Sequence, residues 1–315
     1  MRFTFVILLF LSLGADAQMI IKAHPNYVSF ASANLLLDQY SGSAAAYSLR
    51  KLRTAYTGSA IRVRKDTTGQ PEQDIGFIGN DLDTASLKSF INANSGFIVR
   101  WYNQSGSATN RNAIQTTATR QPRIVNAGTI ERENGDVCLR WVNGSSHHLT
   151  VSRDSLNISQ PISTFSVSKL TAASGINPSI LFDNNSATNT PFRFFASGTE
   201  APANTFGLYT NNAGGLTGCG AQNANQNLFT TISQTATTPN NEVRLNGTEV
   251  DNNTGTVTNS LNGLTIGNIR PGAGAGNLAI YDWSGWIFEL VIYNSNESSN
   301  RSGIETNINS YYGIY

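Results

Sequence analysis

The sequence predicts an all-β fold, an antiparallel jelly-roll β-sandwich with a few short peripheral helices. Three observations lead there. After Gln121 the chain is a succession of short β-rich runs. Asn143-Gly144, Asn246-Gly247 and Asn262-Gly263 punctuate those runs, and Asn-Gly readily supplies the two positive φ angles of a tight hairpin. Only 13% of residues are charged and the net charge is +1, so the surface must be polar chiefly through Asn, Ser, Thr and Gly. Many short strands with such turns specify a sandwich or a barrel.

The N-terminus has the three parts of a cleavable secretory signal over residues 1–17: a basic start at Arg2, an apolar run from Phe3 to Leu13, and Ala15-Asp16-Ala17 before Gln18. The apolar run is about half the roughly 20 residues that cross a hydrocarbon core. Cleavage near Ala17-Gln18 and a secreted mature chain are therefore expected. No later segment is long and apolar enough to span a membrane.

Residues 44–56 are a helix candidate, with Leu49, Leu52 and Tyr56 at helical spacing and Gly58 closing it. Residues 60–65 alternate Ile61 and Val63 with Arg62 and Arg64, the period of a half-buried strand. A short helix starts at Asp83-Thr84, with Asp83 as its cap and Leu87, Phe90 and Ile91 on one side. Residues 96–102 follow as a strand.

Further strands are expected at 136–141, 148–151, 163–170, 179–183, 192–197, 227–233, 242–245, 264–267 and 286–293. The last is apolar on both faces apart from Glu289, which marks a central strand. Residues 298–312 form a closing helix, with Ile304, Ile308 and Tyr312 spaced to dock on the sheet. With no fixed-period repeat and no charged or Pro-rich linker, one domain is expected over 18–315. Its helix-containing part is 18–120 and its sandwich body 121–315.

Two cysteines are present, Cys138 and Cys219. An oxidising compartment allows them to pair, closing a loop of about 80 residues at a gain of roughly 4–5 kcal/mol in the chain-entropy model. The alternative is two separate buried thiols. No metal and no cofactor are expected: there is no Cys-x-x-Cys, His147 and His148 lack partners at ligand spacing, and Asp183-Asn-Asn185 and Asp251-Asn-Asn253 fall short of a calcium loop. The near-zero charge argues against nucleic acid as a partner. Arg50, Lys51, Arg53, Arg62, Arg64 and Lys65 form a local basic cluster, read as a solvated helix face and the outer side of a strand.

Two stretches carry a resemblance of fold. Leu139-Arg-Trp-Val-Asn-Gly-Ser-Ser-His-His-Leu-Thr-Val151 with 162–168, and Leu264-Thr-Ile-Gly267 with 285–294 and 304–314, resemble the entry and exit strands of concanavalin-A-like lectin and glucanase sandwiches. Ala46-Tyr-Ser-Leu-Arg-Lys-Leu52, Ala60-Ile-Arg-Val-Arg64 and Trp101-Tyr-Asn-Gln-Ser-Gly106, before Asn112 and Gln115, are more specific. They resemble the start of the catalytic domain of the α-L-arabinofuranosidase B family, glycoside hydrolase family 54. Ile180-Leu-Phe-Asp-Asn-Asn185 resembles that family's Phe-Asp-Tyr-Gly-Asn stretch.

The resemblance implies a retaining glycosidase, which needs two carboxyl groups about 5–5.5 Å apart. The family's nucleophile is a Glu in the strand after the Phe-Asp stretch, and here Arg193 stands at or beside that place. The family's acid/base is an Asp after Ile-Gly-Gly, and here Ile266-Gly267 leads to Asn268, Ile269 and Arg270. Ile180 and Leu181 replace its adjacent cysteines, and Asn103 replaces the Asp of its Tyr-Asp-Gln-Ser-Gly.

If the chain is an enzyme, Asp183 with Glu200 or Asp282 is the candidate pair. Glu131 and Glu133 are read as flanking a polar hairpin tip at Asn134-Gly135, and Glu289 as structural. The candidate ligand-binding residues are Asp183, Asn184, Arg193, Asn268, Arg270 and Trp283. Trp283 is expected as an exposed sugar platform beside loop 271–277, and Trp286 is expected to be buried.

The partner expected is a polysaccharide or other glycan. The preferred function is an exported, non-hydrolytic glycan-binding relative of the family. One alternative is an active retaining α-L-arabinofuranosidase releasing arabinofuranosyl side chains. Another is a structural or adhesive surface or virion decoration protein.

Overall fold

The computed structural model describes residues 35–172, 178–185, 192–198, 203–210, 216–235, 238–254, 260–270 and 278–315. The expected signal, residues 1–17, lies outside them. Among the described residues, one large antiparallel sheet folds back on itself.

The fold-back is made by Gly96–Trp101, whose two ends pair with different neighbours. Gly96 and Phe97 pair with Arg123–Asn126, whereas Arg100 and Trp101 pair with Ala113–Ile114. From the first branch the ladder runs through Leu139–Trp141, Gly285–Tyr293, Ile162–Leu170, Gln226–Ser233, Asn241–Leu245 and Thr248–Asn253, here the first sheet. From the other branch it runs through Leu149–Val151, Leu264–Ile266, Ser179–Asp183, Phe192–Ala196, Thr205–Thr210 and Leu216–Ala221, the second sheet.

The two sheets face each other across a shared core. Phe182, Phe192, Phe194 and Phe206 from the second sheet meet Phe229, Leu290 and Ile292 from the first. The rings of Phe194 and Phe206 lie 4.8 and 4.6 Å from that of Phe229, within the range where tilted aromatic pairs attract. A separate apolar layer covers the opposite face of the first sheet. There Leu36 and Leu37 of the helix Leu36–Gln39, and Ile304, Ile308 and Tyr312 of the helix Arg301–Tyr312, pack on Phe165, Val167, Phe288 and Val291.

Gly285–Tyr293 is thus covered on both faces and paired along both edges, with Ser43–Ser48 and Leu139–Trp141 on one side and Ile162–Leu170 on the other. This is the central strand that its apolar run predicts. Its one charge, Glu289, is fully buried. Arg50 closes on that carboxylate with a fork, Nε to Oε2 at 2.8 Å and Nη2 to Oε1 at 2.9 Å. The hydroxyls of Ser48 and Tyr312 donate to Oε2 at 2.8 and 3.1 Å.

Several local expectations change under tertiary constraint. The helix expected at 44–56 is instead the strand Ser43–Ser48, followed by irregular chain. Its Ala44-Ala45-Ala46 run fits the narrow space beside the central strand, whose backbone supplies the hydrogen bonds, and this outweighs alanine's helical propensity. The strand expected at 136–141 is interrupted at Cys138, which separates Asp136–Val137 from Leu139–Trp141.

Asn246-Gly247, with φ of 51° and 75°, joins a true hairpin, as does Asn134-Gly135. Asn262-Gly263 does not. It carries the chain from a small ladder with Asn157–Ser159 into the second sheet. An Asn-Gly pair fixes a bend but not whether the flanking strands pair.

The basic cluster is not uniformly solvated. Arg62 pairs with Asp74 at the surface, but Arg50 and Arg64 are buried, Arg64 donating to Gln121 Oε1 at 2.7 Å. Cys138 and Cys219 are both buried free thiols, in the helix-covered layer and the intersheet core respectively. Burial pushes both above the ordinary thiol value, Cys219 to about 12.

Glu289→Ala leaves Arg50 buried without its counter-charge, and the expected loss of stability is about 3–5 kcal/mol. Urea denaturation followed by tryptophan fluorescence measures it. A loss below about 1 kcal/mol would mean that the fork is not the main neutralising contact.

Candidate functional site

The site is built on the outer face of the second sheet, turned away from the shared core. Phe192–Ala196 alternates with period two. Phe192, Phe194 and Ala196 enter the core, while Phe195 joins Ile180 and Ile269 in a small outer cluster on which Tyr209 and Tyr281 pack, both half-buried. Arg193 shares the parity of Phe195 and is paired directly with Tyr209 on the next strand. The Phe195 and Tyr209 ring centroids are 5.7 Å apart. Gly207, opposite Phe195, keeps this row close, because a Cβ there would collide with the phenyl ring.

Asp183 ends the strand Ser179–Asp183 and is fully buried. Its Oδ2 accepts from Arg193 Nη2 at 2.9 Å and from the backbone N–H of Arg270 at 3.2 Å, and Arg270 Nη1 lies 3.7 Å away. Asp183 Oδ1 and Arg193 Nε are buried with no hydrogen-bond partner among the described residues. Asn184 is also fully buried, its backbone N–H donating to the carbonyl of Phe192 at 3.1 Å. Arg193 keeps 17% of its side chain exposed and Arg270 keeps 5%. Burial, opposed by Asp183 and reinforced by Arg193, pulls the Arg270 guanidinium below its ordinary value.

Arg270 reaches Asp183 because Gly267 turns the chain with φ +80°, where any side chain would strike the Trp141 indole. Asn268 then locks the turn. Its Oδ1 accepts from the N–H of Ile269 at 2.7 Å, and its Nδ2 donates to Asp282 Oδ1 at 2.9 Å. Asp282 Oδ2 accepts from the N–H of Ser146 at 3.0 Å, tying this turn to the 143–146 turn. Burial pushes the Asp282 carboxyl up to about 7 against the opposing pull of the 144–147 amides. Burial, aided by Arg123, His148 and Arg140, pushes His147 down to about 4.

The candidates therefore fall into two linked groups. Asp183, Arg193 and Arg270 come together at the outer face, with Asn184 buried next to Asp183 in the chain, whereas Asn268 and Asp282 form the brace behind the 267–270 turn. Trp283 does not join either. It is fully buried in the intersheet core and is no exposed platform. Trp286, expected to be buried, is half-buried, with Arg140 4.3 Å and Lys169 5.4 Å from its ring.

Trp283 precedes the strand and Trp286 is its second residue, and the chain between them bends at Ser284, whose φ is 30°. Glu200 and loop 271–277 lie outside the described residues. Glu131 and Glu133 flank the hairpin as expected and pair with Arg123 and Lys169. Tyr209 was not singled out from the sequence, although the alternation of Phe206-Gly207-Leu208-Tyr209 places it on the polar face.

The two candidate carboxylates among the described residues are thus engaged by the protein, Asp183 by two arginines and Asp282 by backbone amides and Asn268. No cluster of three or more His, Cys, Asp or Glu able to hold a metal occurs among the described residues. No helix of the described residues is long and apolar enough to cross a membrane.

No family model matches the sequence, and no curated protein matches it. Among solved structures, the chain is similar to a family 54 α-L-arabinofuranosidase soaked with a cyclic sulfate inhibitor. The TM-score is 0.63 at 12% identity, covering 87% of this chain and 64% of that one. An arabinofuranosidase complexed with arabinofuranosyl-α-1,2-xylobiose gives a TM-score of 0.62 at 12% identity, with the same 87% and 64% coverage. The chain thus spans 64% of the length of these neighbours, and at this identity the likeness is one of fold. The family 54-like sandwich expected from the N-terminal motifs is the fold observed.

Asp282 and His147 give the brace opposing pH responses. Asp282 holds its proton more tightly folded, at about 7, than at its ordinary 3.8, so its contribution to stability is full below about 4 and lost as pH rises through about 7. His147 titrates lower when folded, near 4 against 6.5, so its contribution is lost as pH falls from about 6.5 to about 4. Between about pH 7 and about pH 4.5, the Tm of Asp282→Asn is expected to fall more steeply on acidification than that of the parent, and the Tm of His147→Gln less steeply. Thermal melts across that range check both signs, and parallel slopes in all three proteins would contradict the assignment.

Proposed function

We infer that this chain is an exported glycan-binding protein that uses the arabinofuranosidase-type body without its hydrolytic chemistry. The observation that carries this reading is the state of Asp183, the one acid shared with the family by motif. Its Oδ2 is committed to Arg193 and Arg270, and the resemblance puts the Arg193 guanidinium at or beside the place of the family's nucleophile. A guanidinium cannot attack an anomeric carbon, but it can hold sugar hydroxyls. Half-buried Tyr209 and Tyr281 on the same face supply apolar surface for the C–H side of a sugar ring. Export rests on the N-terminal 17 residues and agrees with the low-charge composition.

A second reading, an active retaining arabinofuranosidase, is favoured by Asp282 alone. A carboxyl near 7 is suited to general acid catalysis. Against this, both its oxygens accept hydrogen bonds from the protein.

Incubation with 4-nitrophenyl α-L-arabinofuranoside is expected to release no nitrophenol above the blank, while a glycan array gives saturable binding. Tyr209→Ala is expected to weaken that binding about 10-fold, the loss of roughly 1.4 kcal/mol of ring stacking. Release of nitrophenol that disappears in Asp183→Asn would overturn the non-hydrolytic reading in favour of the second.

A further inference from the structure

Arg193 has more hydrogen-bonding capacity than the protein uses. Its Nη2 donates to Asp183, its Nε is enclosed without an acceptor among the described residues, and its Nη1 donates to none of them. The side chain remains 17% exposed on the outer face of the second sheet. Its counter-charge is shared, since the same Asp183 oxygen takes the Arg270 N–H at 3.2 Å and lies 3.7 Å from Arg270 Nη1. The same carboxylate oxygen thus faces two guanidiniums at a site largely withdrawn from water, where charges are screened less than in bulk solvent.

Tyr209 is the direct cross-strand partner of Arg193. Side chains so opposed leave the backbone about 5 Å apart at Cβ, comparable with the breadth of a sugar ring. A ring laid on Tyr209 therefore presents a substituent on its edge to Arg193. In a uronic acid that substituent is a carboxylate carried directly beside the ring. The planar guanidinium matches a planar carboxylate through two parallel N–H···O bonds, a geometry that a lysine ammonium does not reproduce.

We propose that this face binds a uronic-acid residue of an acidic glycan, Arg193 taking the sugar carboxylate and Tyr209 the apolar face of the ring. The proposal rests on the glycan-binding reading and narrows it to one ligand class. A neutral arabinofuranosyl unit offers the spare donors of Arg193 no carboxylate.

Isothermal titration of the full chain with tri-galacturonate, its fully methyl-esterified form and a sulfated neutral trisaccharide separates the sources of the anion. Tri-galacturonate is expected to bind at least about 10-fold more tightly than either of the others. Arg193→Lys, which keeps a cation beside Asp183, is expected to weaken tri-galacturonate about 10-fold and to narrow the gap between acid and ester, with Tm as the check on folding. Should that variant not fold, acid against ester on the parent chain decides.

Equal affinity for acid and ester overturns the uronate assignment and leaves the glycan-binding reading standing. Tighter binding of the sulfated sugar overturns the carboxylate as the recognised group. Silence towards all three ligands, with a neutral glycan positive on the array, overturns the uronate proposal alone. Silence of the whole array removes the glycan-binding reading beneath it.

Discussion

Glu289 sits fully buried in the middle of the strand that both apolar layers share, and the architecture is arranged around keeping its charge neutral. A carboxylate at that depth is tolerable only with a cation and hydrogen bonds in good geometry. Arg50 supplies the fork, and Ser48 and Tyr312 supply the remaining donors. Those three residues come from two segments far apart in sequence, 43–50 and the closing helix. Arg50 also reaches Asn307 Oδ1 at 3.1 Å and lies over the Tyr311 ring. The ion pair thereby fixes the edge strand and the helix on the same side of the first sheet. The second sheet's outer face, by contrast, carries no helix among the described residues, and there the polar cluster forms.

The motif that carried the family resemblance, Trp101-Tyr-Asn-Gln-Ser-Gly106, serves this same frame. Asn103 Oδ1 accepts from the N–H of Ala46 at 2.8 Å. Gln104 Nε2 donates to the carbonyls of Ser48 and Arg50, both at 3.0 Å, and its Oε1 accepts from the N–H of Leu52 at 2.9 Å. Asn112 in turn holds the N–H of Asn103. These side chains satisfy backbone groups of the strand Ser43–Ser48 and of the irregular chain that follows it, a need set by the fold itself. The fold they serve is the one shared with family 54 structures at 12% identity.

Two buried aspartates a short distance apart along the fold illustrate how environment assigns a role. Asp183 meets guanidinium groups, and its charge is answered by charge. Asp282 meets only amide dipoles, which do not fully offset the loss of water, so its proton affinity rises. The first anchors a cation at a surface and the second braces a turn. Nothing in the residue type distinguishes them. The partners do, and those partners arrive from 193, 270, 146 and 268.

What the sequence determined is what local pattern encodes. The all-β class, the central position of 285–293, the Asp83-capped helix and the closing helix followed from period and punctuation, while the structural role of Glu289 and the company of Asp183 with Arg193 followed from the resemblance to known sandwiches. The tertiary structure decided whatever depends on a partner distant in the chain. Ala44-Ala45-Ala46 is a strand because Gly285–Tyr293 offers it an edge. Trp283 is core and Trp286 half-buried because the chain bends at Ser284 between two indoles that composition cannot tell apart. Tyr209 faces Arg193 because two strands fall into one register. Strand parity can be read along a sequence. The register between strands is set only when the two sheets close on a common core, and that register placed a tyrosine beside the partly exposed guanidinium.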